Sequence, residues 1–311
     1  MPRKRARIDA DLVKKDQYNV PPTRIAKIPP PKPWPLPKFE PLHINNWDRH
    51  GSPNLPPDVN IHNPFELFSL FFTDEIMDTL VEWTNKHAEF YPPNEENEDP
   101  RPWKPTYREE LYAYIAVLIH MGITIEPAIE DYWKDLDTYG VAHIVKKYIS
   151  ITRFQQIDRH FRASLPWPKD NKEPRTTFDR VKDLGEHIRL RCRQLYCPGT
   201  HLAVDETIQR FMGRAPEIVN IPSKPTPEGF KIWVLANEGY VLDFIWHAKG
   251  DKKGPVDLDE SFVDQEGFSK TQAVVLDLLL QKDTETDERL YPPGKHVVWL
   301  DNLFTSVKLL A

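Results

Sequence analysis

The sequence predicts an α/β protein built in three parts, and three observations along the chain lead to this prediction. Residues 1–57 hold 13 of the 31 prolines, which disfavours helix and central strand there. Residues 58–199 carry apolar side chains at helical spacing. After Pro198-Gly199 the pattern becomes strand-like. We therefore predict a tail at 1–57, a mostly helical domain at 58–199 and an α/β domain at 200–311.

Composition and charge limit the class of protein. The 311 residues have a formal net charge of −6, which excludes a uniformly basic nucleic-acid coat but allows a local basic groove. The 2 cysteines cannot form a disulfide scaffold. The longest apolar run, Tyr112 to Ile119, is too short to span a bilayer, and no secretory signal is visible. We expect no membrane partner.

The N-terminal tail combines a basic cluster with polyproline. Its opening residues Pro2-Arg3-Lys4-Arg5-Ala6-Arg7 are either a nuclear-import signal or a solvated charge run. The stretch from Ile28 to Pro35 disfavours helix and central strand, so residues 1–57 are predicted to be a disordered, partly polyproline-II tail. Its segment from Pro29 to Pro37 fits the grooves of SH3- or WW-type partners.

The helical domain is predicted from apolar faces and capping patterns. A helix over 73–86 places Ile76, Leu80 and Trp83 on one face, and capping boxes are predicted at Thr106 and Thr152. A third helix, 178–195, carries a basic outer face that includes Arg189, Arg191 and Arg193. That face is either solvated or contacts phosphates.

For the C-terminal domain the sequence predicts three strands, then a helix, then a fourth strand. Its predicted strands are 201–211, the hairpin 230–236 and 240–248 around Asn237-Glu238-Gly239, and 296–300, with a helix at 272–281. The last strand is a continuous apolar run, which predicts burial on both faces.

Two acids occupy unusual positions in these strands. Asp205 lies inside the apolar run 202–206, and Asp301 follows the strand 296–300. A charge in such a place is costly unless it is paired or bound to a metal. Two carboxylates at neighbouring strand ends suit Mg²⁺ or Mn²⁺, although an Asp at a strand end also often caps a turn. Glu206 is expected to point to the opposite face from Asp205.

At these residues the sequence resembles piggyBac-type transposases. The segment 201–216, with His201-Leu202-Ala203-Val204-Asp205-Glu206, is similar to their first catalytic block. Ile221-Pro222-Ser223-Lys224-Pro225, followed by Gly229-Phe230-Lys231-Ile232-Trp233, is similar to a second stretch. Asp301-Asn302-Leu303-Phe304-Thr305-Ser306 is similar to the second catalytic block. The resemblance runs from about residue 62 to the end.

The resemblance implies a DDE-type DNA transposase on an RNase H-like fold. Asp205 and Asp301 would be catalytic residues and ligands of Mg²⁺ or Mn²⁺, with DNA as substrate and a homodimer as a further expectation. The basic residues expected to contact DNA are Arg189, Arg191, Arg193, Arg214, Lys224 and Lys231. A DNA-handling protein with this tail is expected in the nucleus.

The sequence departs from the family pattern after Asp301. The chain ends ten residues later, before the helix that would carry the third acid, and neither Asp277 nor Glu260 stands in that position. We therefore expect a truncated protein with an incomplete RNase H-like core and no DNA cleavage. The alternatives are a domesticated, non-catalytic DNA-binding or chromatin protein and a proline-rich interaction module.

Overall fold

A computed structural model describes residues 48–92, 102–173, 175–249, 254–283 and 286–310, which lie in one compact unit from Ile44 to Ala311. The basic cluster and the polyproline stretch of the tail lie outside the described residues. Within the described ranges, no helix combines the length and the apolar character needed to cross a bilayer.

The first part of the described chain is helical. Its α-helices are α1 (Pro64–Phe71), α2 (Asp74–Phe90), α3 (Arg108–Ile123), the short α4 (Leu136–Tyr139), α5 (Ile151–His160) and α6 (Lys182–Gln194). Short 3₁₀ turns span Ile129–Trp133, Ile144–Lys147 and Phe178–Arg180. The helix predicted over 178–195 is therefore a 3₁₀ turn followed by α6.

Several of these helices begin where a side chain caps the first turn. Asn63, Thr73 and Ser150 each accept a hydrogen bond from a backbone N–H of the helix that follows. The boxes predicted at Thr106 and Thr152 are wrong. Tyr107 is the residue before α3, the Thr106 hydroxyl bonds the Glu110 carboxylate at 2.8 Å, and α5 starts at Ile151.

One apolar core joins the helices before residue 160. Ile76 and Leu80 of α2 are buried against Leu111 and Val117 of α3 and Ile157 of α5. The apolar face predicted for α2 is confirmed for these two residues. Spacing of three and four residues places such side chains on one stripe, and burying each contributes about 1.5–3 kcal/mol.

A sheet dominates the second part. Its strands are β3 (His201–Arg210), β4 (Val219–Asn220), β5 (Glu228–Asn237), β6 (Tyr240–Ala248), β7 (Gly254–Pro255) and β8 (Val297–Leu300). They lie in the order β7-β6-β5-β3-β8, with β4 paired to the far end of β5. Neighbours are antiparallel except β8, which runs parallel to β3.

The predicted hairpin is confirmed at its turn. Asn237 and Tyr240 pair across it, while Glu238 and Gly239 have φ of 50° and 87°. Positive φ at both central residues is the geometry that matches the twist of two antiparallel strands. A glycine at the second position adopts it without a Cβ penalty.

The sheet is covered on one face by α7 (Ser261–Asp264) and α8 (Lys270–Leu279), and the described chain closes with α9 (Val307–Leu310). Ala273 and Leu278 of α8 join Leu202, Val204 and Trp233 in one buried cluster. The expectation that the last strand is buried on both faces is wrong. Trp299 of β8 is 60% exposed, because its side chain lies on the face that α8 does not cover.

The helix α6 packs against β6 through two of its arginines. Arg189 donates from Nε to Asp243 Oδ1 at 2.5 Å, and Arg193 donates from Nη1 to Asp243 Oδ2 at 3.1 Å. Asp243, on β6, is fully buried. Arg191 instead donates to the backbone oxygen of Leu70 at 2.6 Å. The outer face predicted for these arginines is therefore wrong, since all three turn towards other parts of the chain.

The predicted end of the tail at residue 57 is also wrong. Residues 52–53 form β1 (Ser52–Pro53), which pairs with β2 (Tyr196–Cys197). Asn54 donates its backbone N–H to Leu195 O at 2.8 Å, and Thr200 donates to Arg49 O at 2.8 Å. These contacts, here called the β1–β2 joint, hold residues 49–54 beside the start of β3.

Candidate metal and nucleic-acid site

Asp205 and Asp301 lie at the same level on neighbouring parallel strands. The register of β3 and β8 pairs Val204 with Leu300, and each aspartate is the next residue. Because parallel neighbours advance together, the two carboxylates leave the sheet side by side. The structure thus brings together the two acids that the sequence singled out.

Their surroundings differ from the prediction in one respect. Both aspartates are exposed, so neither is a charge buried inside a strand. Each carboxylate accepts a hydrogen bond from the next backbone N–H, Asp205 from Glu206 at 2.8 Å and Asp301 from Asn302 at 2.6 Å. These local bonds leave the second oxygen of each carboxylate for another ligand.

Glu206 points away from Asp205, as alternation along a strand predicts. Its side chain is 8% exposed, and Oε1 accepts from Lys224 Nζ at 2.9 Å. The other oxygen, Oε2, is buried, and no residue in the described ranges donates a hydrogen bond to it. A buried, half-satisfied carboxylate depends strongly on the one cation that pairs with it.

Lys224 forms an ion pair with Glu206, the residue that follows Asp205. The hydrogen bond to Glu206 raises the pKa of Lys224, and the charges of Glu206, Asp205 and Asp301 add to that rise. Its backbone belongs to the loop between β4 and β5, within the Ile221-Pro222-Ser223-Lys224-Pro225 stretch. The sequence predicted Lys224 as a DNA contact and gave no sign of its ion pair with Glu206.

Lys231 occupies the interior next to Glu206. Its ammonium lies 3.8 Å from the centre of the Trp233 ring, and the residue is 9% exposed. Burial lowers the pKa of Lys231, and burial beside this ammonium lowers the pKa of His247 to about 4. The DNA contact predicted for Lys231 stays a prediction, although its ammonium is packed on an aromatic face.

The remaining basic residues of the predicted DNA surface are separated in the structure. Arg214 is exposed between β3 and β4, whereas Arg189 and Arg193 neutralise Asp243 on β6. Their contacts with DNA stay predictions. The structure shows a basic region that sequence reasoning missed: a cavity of about 770 Å³ whose lining includes Arg49, Arg289 and Lys295.

Neither proposed substitute acid is placed with the aspartate pair. Glu260 pairs with Lys270 at 3.5 Å. Asp277 lies on α8, where burial raises its pKa to about 6, Asp259 and Asp243 contribute to the rise, and Arg189 opposes it. Its electrostatic neighbours are therefore those of the Asp243 cluster.

The donor set fits one hydrated divalent ion. Two exposed carboxylates match the way Mg²⁺ is commonly held, through one or two acidic ligands and several waters. Among the residues that the structure describes, no three His, Cys, Asp or Glu side chains are grouped to hold a metal. The described residues thus offer Asp205 and Asp301 as ligands.

Comparison with known proteins identifies the family. A family model described as transposase IS4 matches residues 63–311. A human protein, PiggyBac transposable element-derived protein 3, is 22% identical over 269 residues, which cover 84% of this chain and 40% of that protein. The human chimeric ERCC6-PGBD3 protein gives the same identity over 269 residues, covering 22% of its length.

The solved structure of a piggyBac transposase synaptic complex with hairpin DNA agrees. It is 25% identical, has a TM-score of 0.56 and covers 84% of this chain. The chain belongs to the piggyBac transposase family. As a piggyBac relative it spans 50% of that solved chain and less than half of the two curated human proteins.

Proposed function

We propose that this piggyBac-family chain binds DNA and holds a divalent cation between Asp205 and Asp301 on an RNase H-like core. The observation that carries the proposal is the shared level of the two aspartates at the ends of β3 and β8. Both acids lie in the segments that resemble the family's catalytic blocks.

The sheet supports the RNase H-like part of the proposal. Three consecutive long strands, β3, β5 and β6, form an antiparallel meander, and the chain then returns through α8 to β8 beside β3. In this order the first and last long strands are parallel neighbours. That arrangement brings two acids from distant parts of the sequence to one edge.

The residues around the acids suit phosphoryl chemistry. A divalent cation bound there would polarise a phosphoryl oxygen and activate water. Asp205 and Asp301 would hold it, and the backbone N–H groups of Glu206 and Asn302 fix the orientation of the two carboxylates.

DNA is the polymer that we propose the chain binds. The related solved structure is a complex with hairpin DNA. We propose DNA binding for this chain because it is related to that protein. Arg214 is exposed beyond β3, and Arg49, Arg289 and Lys295 line the basic cavity. A chain of net charge −6 can bind a polyanion through such local clusters.

A second candidate is DNA binding without strand cleavage. It is favoured by the absence, within the described ranges, of three acidic or metal-binding side chains in one group. In-line transfer by two ions needs more ligands than the aspartate pair provides. The expectation of no cleavage stays a prediction, as do the homodimer, the SH3- or WW-type partner and nuclear residence.

The test uses the full 311-residue chain. Binding to duplex DNA, measured by fluorescence anisotropy over a KCl series, should weaken steeply with salt if phosphates are contacted. Nicking of supercoiled plasmid is then assayed with Mg²⁺ and with Mn²⁺. Asp205→Asn and Asp301→Asn are compared with Asp264→Asn, an exposed acid on α7.

Each outcome separates the candidates. Cation-dependent nicking that both aspartate variants lose, and Asp264→Asn retains, supports a catalytic site. Salt-dependent binding without nicking supports the second candidate. Binding that is absent, or insensitive to salt, contradicts both.

A further inference from the structure

Trp299 is an exposed aromatic side chain next to the two acids of the candidate site. It is 60% exposed and lies two residues before Asp301. Successive side chains of a strand alternate between the two faces of a sheet, so Trp299 and Asp301 point the same way. Val298 and Leu300 point the other way and pack on the buried cluster that includes residues of α8. An indole therefore borders the acidic site on the face of the sheet that α8 does not cover.

The neighbouring strand continues this open face. Ala203 pairs with Trp299 in the register of β3 and β8, and Asp205 follows Ala203 by two residues. Ala203 and Asp205 are exposed, whereas Val204 between them is buried. Two residues of a strand span about 6.6 Å, which equals about two steps of 3.4 Å along one strand of DNA. A nucleotide within about two steps of a phosphate at the acids would thus bring its base to the indole.

Two hydrogen bonds hold the indole in one orientation. Trp299 donates from Nε1 to His201 Nδ1 at 3.2 Å, and the other ring nitrogen of His201, Nε2, lies 3.2 Å from Asp48 Oδ1. An ionised carboxylate can only accept and an indole N–H can only donate, so His201 carries its proton on Nε2. The His201 ring is tilted by 36° from the indole, with the ring centroids 6.0 Å apart, and is therefore not stacked over it. The series Asp48, His201 and Trp299 thus fixes one edge of an indole that stays largely exposed.

We propose that Trp299 is a stacking platform for an unpaired base of the DNA strand whose phosphate lies at Asp205 and Asp301. The inference rests on the proposed function and adds to it the binding of single-stranded or unpaired DNA. Bases stack on aromatic side chains with little regard to sequence, because every base has a π-face. A base that is paired inside a duplex cannot offer its face to the indole in this way. His201 is a positioning residue, since it contacts the indole and acts on the base through it.

The experiment measures binding of single-stranded DNA to the full chain by fluorescence anisotropy in the presence of Mg²⁺. Two labelled probes of equal length and charge are compared: an oligothymidine, and an abasic strand that keeps the phosphates and lacks the bases. The unmodified chain should bind the oligothymidine about tenfold more tightly than the abasic strand, the order expected for one base–aromatic stack. Trp299→Ala should lose this preference, whereas Trp299→Phe keeps an aromatic face and should retain most of it.

Two further variants test the positioning of the indole and the place of the contact. His201→Ala removes the hydrogen-bond acceptor of the indole, so its preference for bases should lie between those of the unmodified chain and Trp299→Ala. Tyr148→Ala removes an aromatic side chain that is 69% exposed in the helical part, and it should leave the preference unchanged. The preference for bases is the readout because a general loss of fold would weaken the binding of both probes alike.

The possible failures are distinguishable. If the unmodified chain binds both probes equally, or if Trp299→Ala keeps the preference for bases, the stacking role is overturned and the proposed DNA binding stands. A loss of affinity for both probes in Trp299→Ala means that the indole supports the fold, which also overturns the stacking role. If the unmodified chain binds neither these probes nor duplex DNA, the proposed function fails and the inference fails with it.

Discussion

Asp277 shows how one side chain links folding to pH. It lies on α8, and burial, assisted by Asp259 and Asp243, raises its pKa to about 6 from an ordinary value of 3.8. The folded chain thus holds a proton that the unfolded chain has already released. The stabilising contribution is complete below about pH 3.8 and is lost as the pH rises through about 6.

We predict that Asp277→Asn removes this pH dependence. Between pH 4.5 and pH 7 the free energy of unfolding of the unmodified chain should fall by about 1 kcal/mol more than that of the variant, after allowance for solvent screening. Urea unfolding at a series of pH values measures the difference. Asp264→Asn should follow the unmodified chain, and parallel pH curves for all three proteins would contradict the prediction.

At the scale of elements, a fully buried carboxylate on the sheet attaches α6 to it. Arg189 and Arg193 both bind the buried carboxylate of Asp243 on β6. Removing the carboxylate would leave two partly buried guanidinium groups without their partner.

We predict that Asp243→Asn lowers the free energy of unfolding by about 3 kcal/mol. The uncompensated charges of Arg189 and Arg193 are the cause, so the loss should diminish when both arginines are also replaced by Met. Chemical denaturation of the single and triple variants tests this coupling. A single variant as stable as the unmodified chain would show that the ion pair has no net role.

Gly229 permits the close approach of β3 and β5. A Cβ at this position would lie 2.0 Å from the backbone oxygen of Gln209. We predict that Gly229→Ala destabilises the fold by about 2–3 kcal/mol because backbone, not a flexible side chain, must move. Gly122, in α3, has open space around it, and Gly122→Ala should stabilise by about 0.5–1 kcal/mol. Thermal unfolding of both variants distinguishes these opposite shifts.

How far the sequence predicts these elements depends on the range of the interaction. Alternation from His201 to Arg210 and the Asn237-Glu238-Gly239 turn are local signals, and both predictions are confirmed. The helix caps predicted at Thr106 and Thr152 are wrong. A capping pattern alone does not determine at which residue the extended backbone ends and the helix begins.

The errors at the site have a long-range cause. A basic face on α6 looks solvated until Asp243, some fifty positions later, is placed against it. The sequence predicts the pairing of Asp205 with Asp301 because Asp205 lies inside an apolar strand and Asp301 follows another. The ion pair between Lys224 and Glu206 has no such local signal, because it depends on the loop between β4 and β5.

At the scale of the whole molecule, the sequence combines a DNA-handling family with a basic N-terminus. The cluster from Arg3 to Arg7 lies outside the described residues, so its role rests on composition. Compact basic clusters of this kind serve as import signals. The DNA binding proposed above would require access to chromosomal DNA.

We predict that replacing Arg3, Lys4, Arg5 and Arg7 with Ala reduces nuclear accumulation of a fluorescent fusion. The loss of positive charge should weaken recognition by an import receptor. Microscopy of living cells gives the ratio of nuclear to cytoplasmic signal. Replacing Lys14, Lys15, Arg24 and Lys27 with Ala provides a control of equal charge, and an unchanged ratio in the first variant would remove the proposed signal.

The β1–β2 joint has a consequence for synthesis of the protein. Asn54 donates to Gln194 O across 140 positions, so the two halves of the joint leave the ribosome far apart in time. At about 5–20 residues per second the delay is roughly 7–30 s. During that interval the helices before residue 160 can complete their own core, because its contacts lie within the segment already made. Translation order thus favours a helical core that is finished before the strand β3 is anchored.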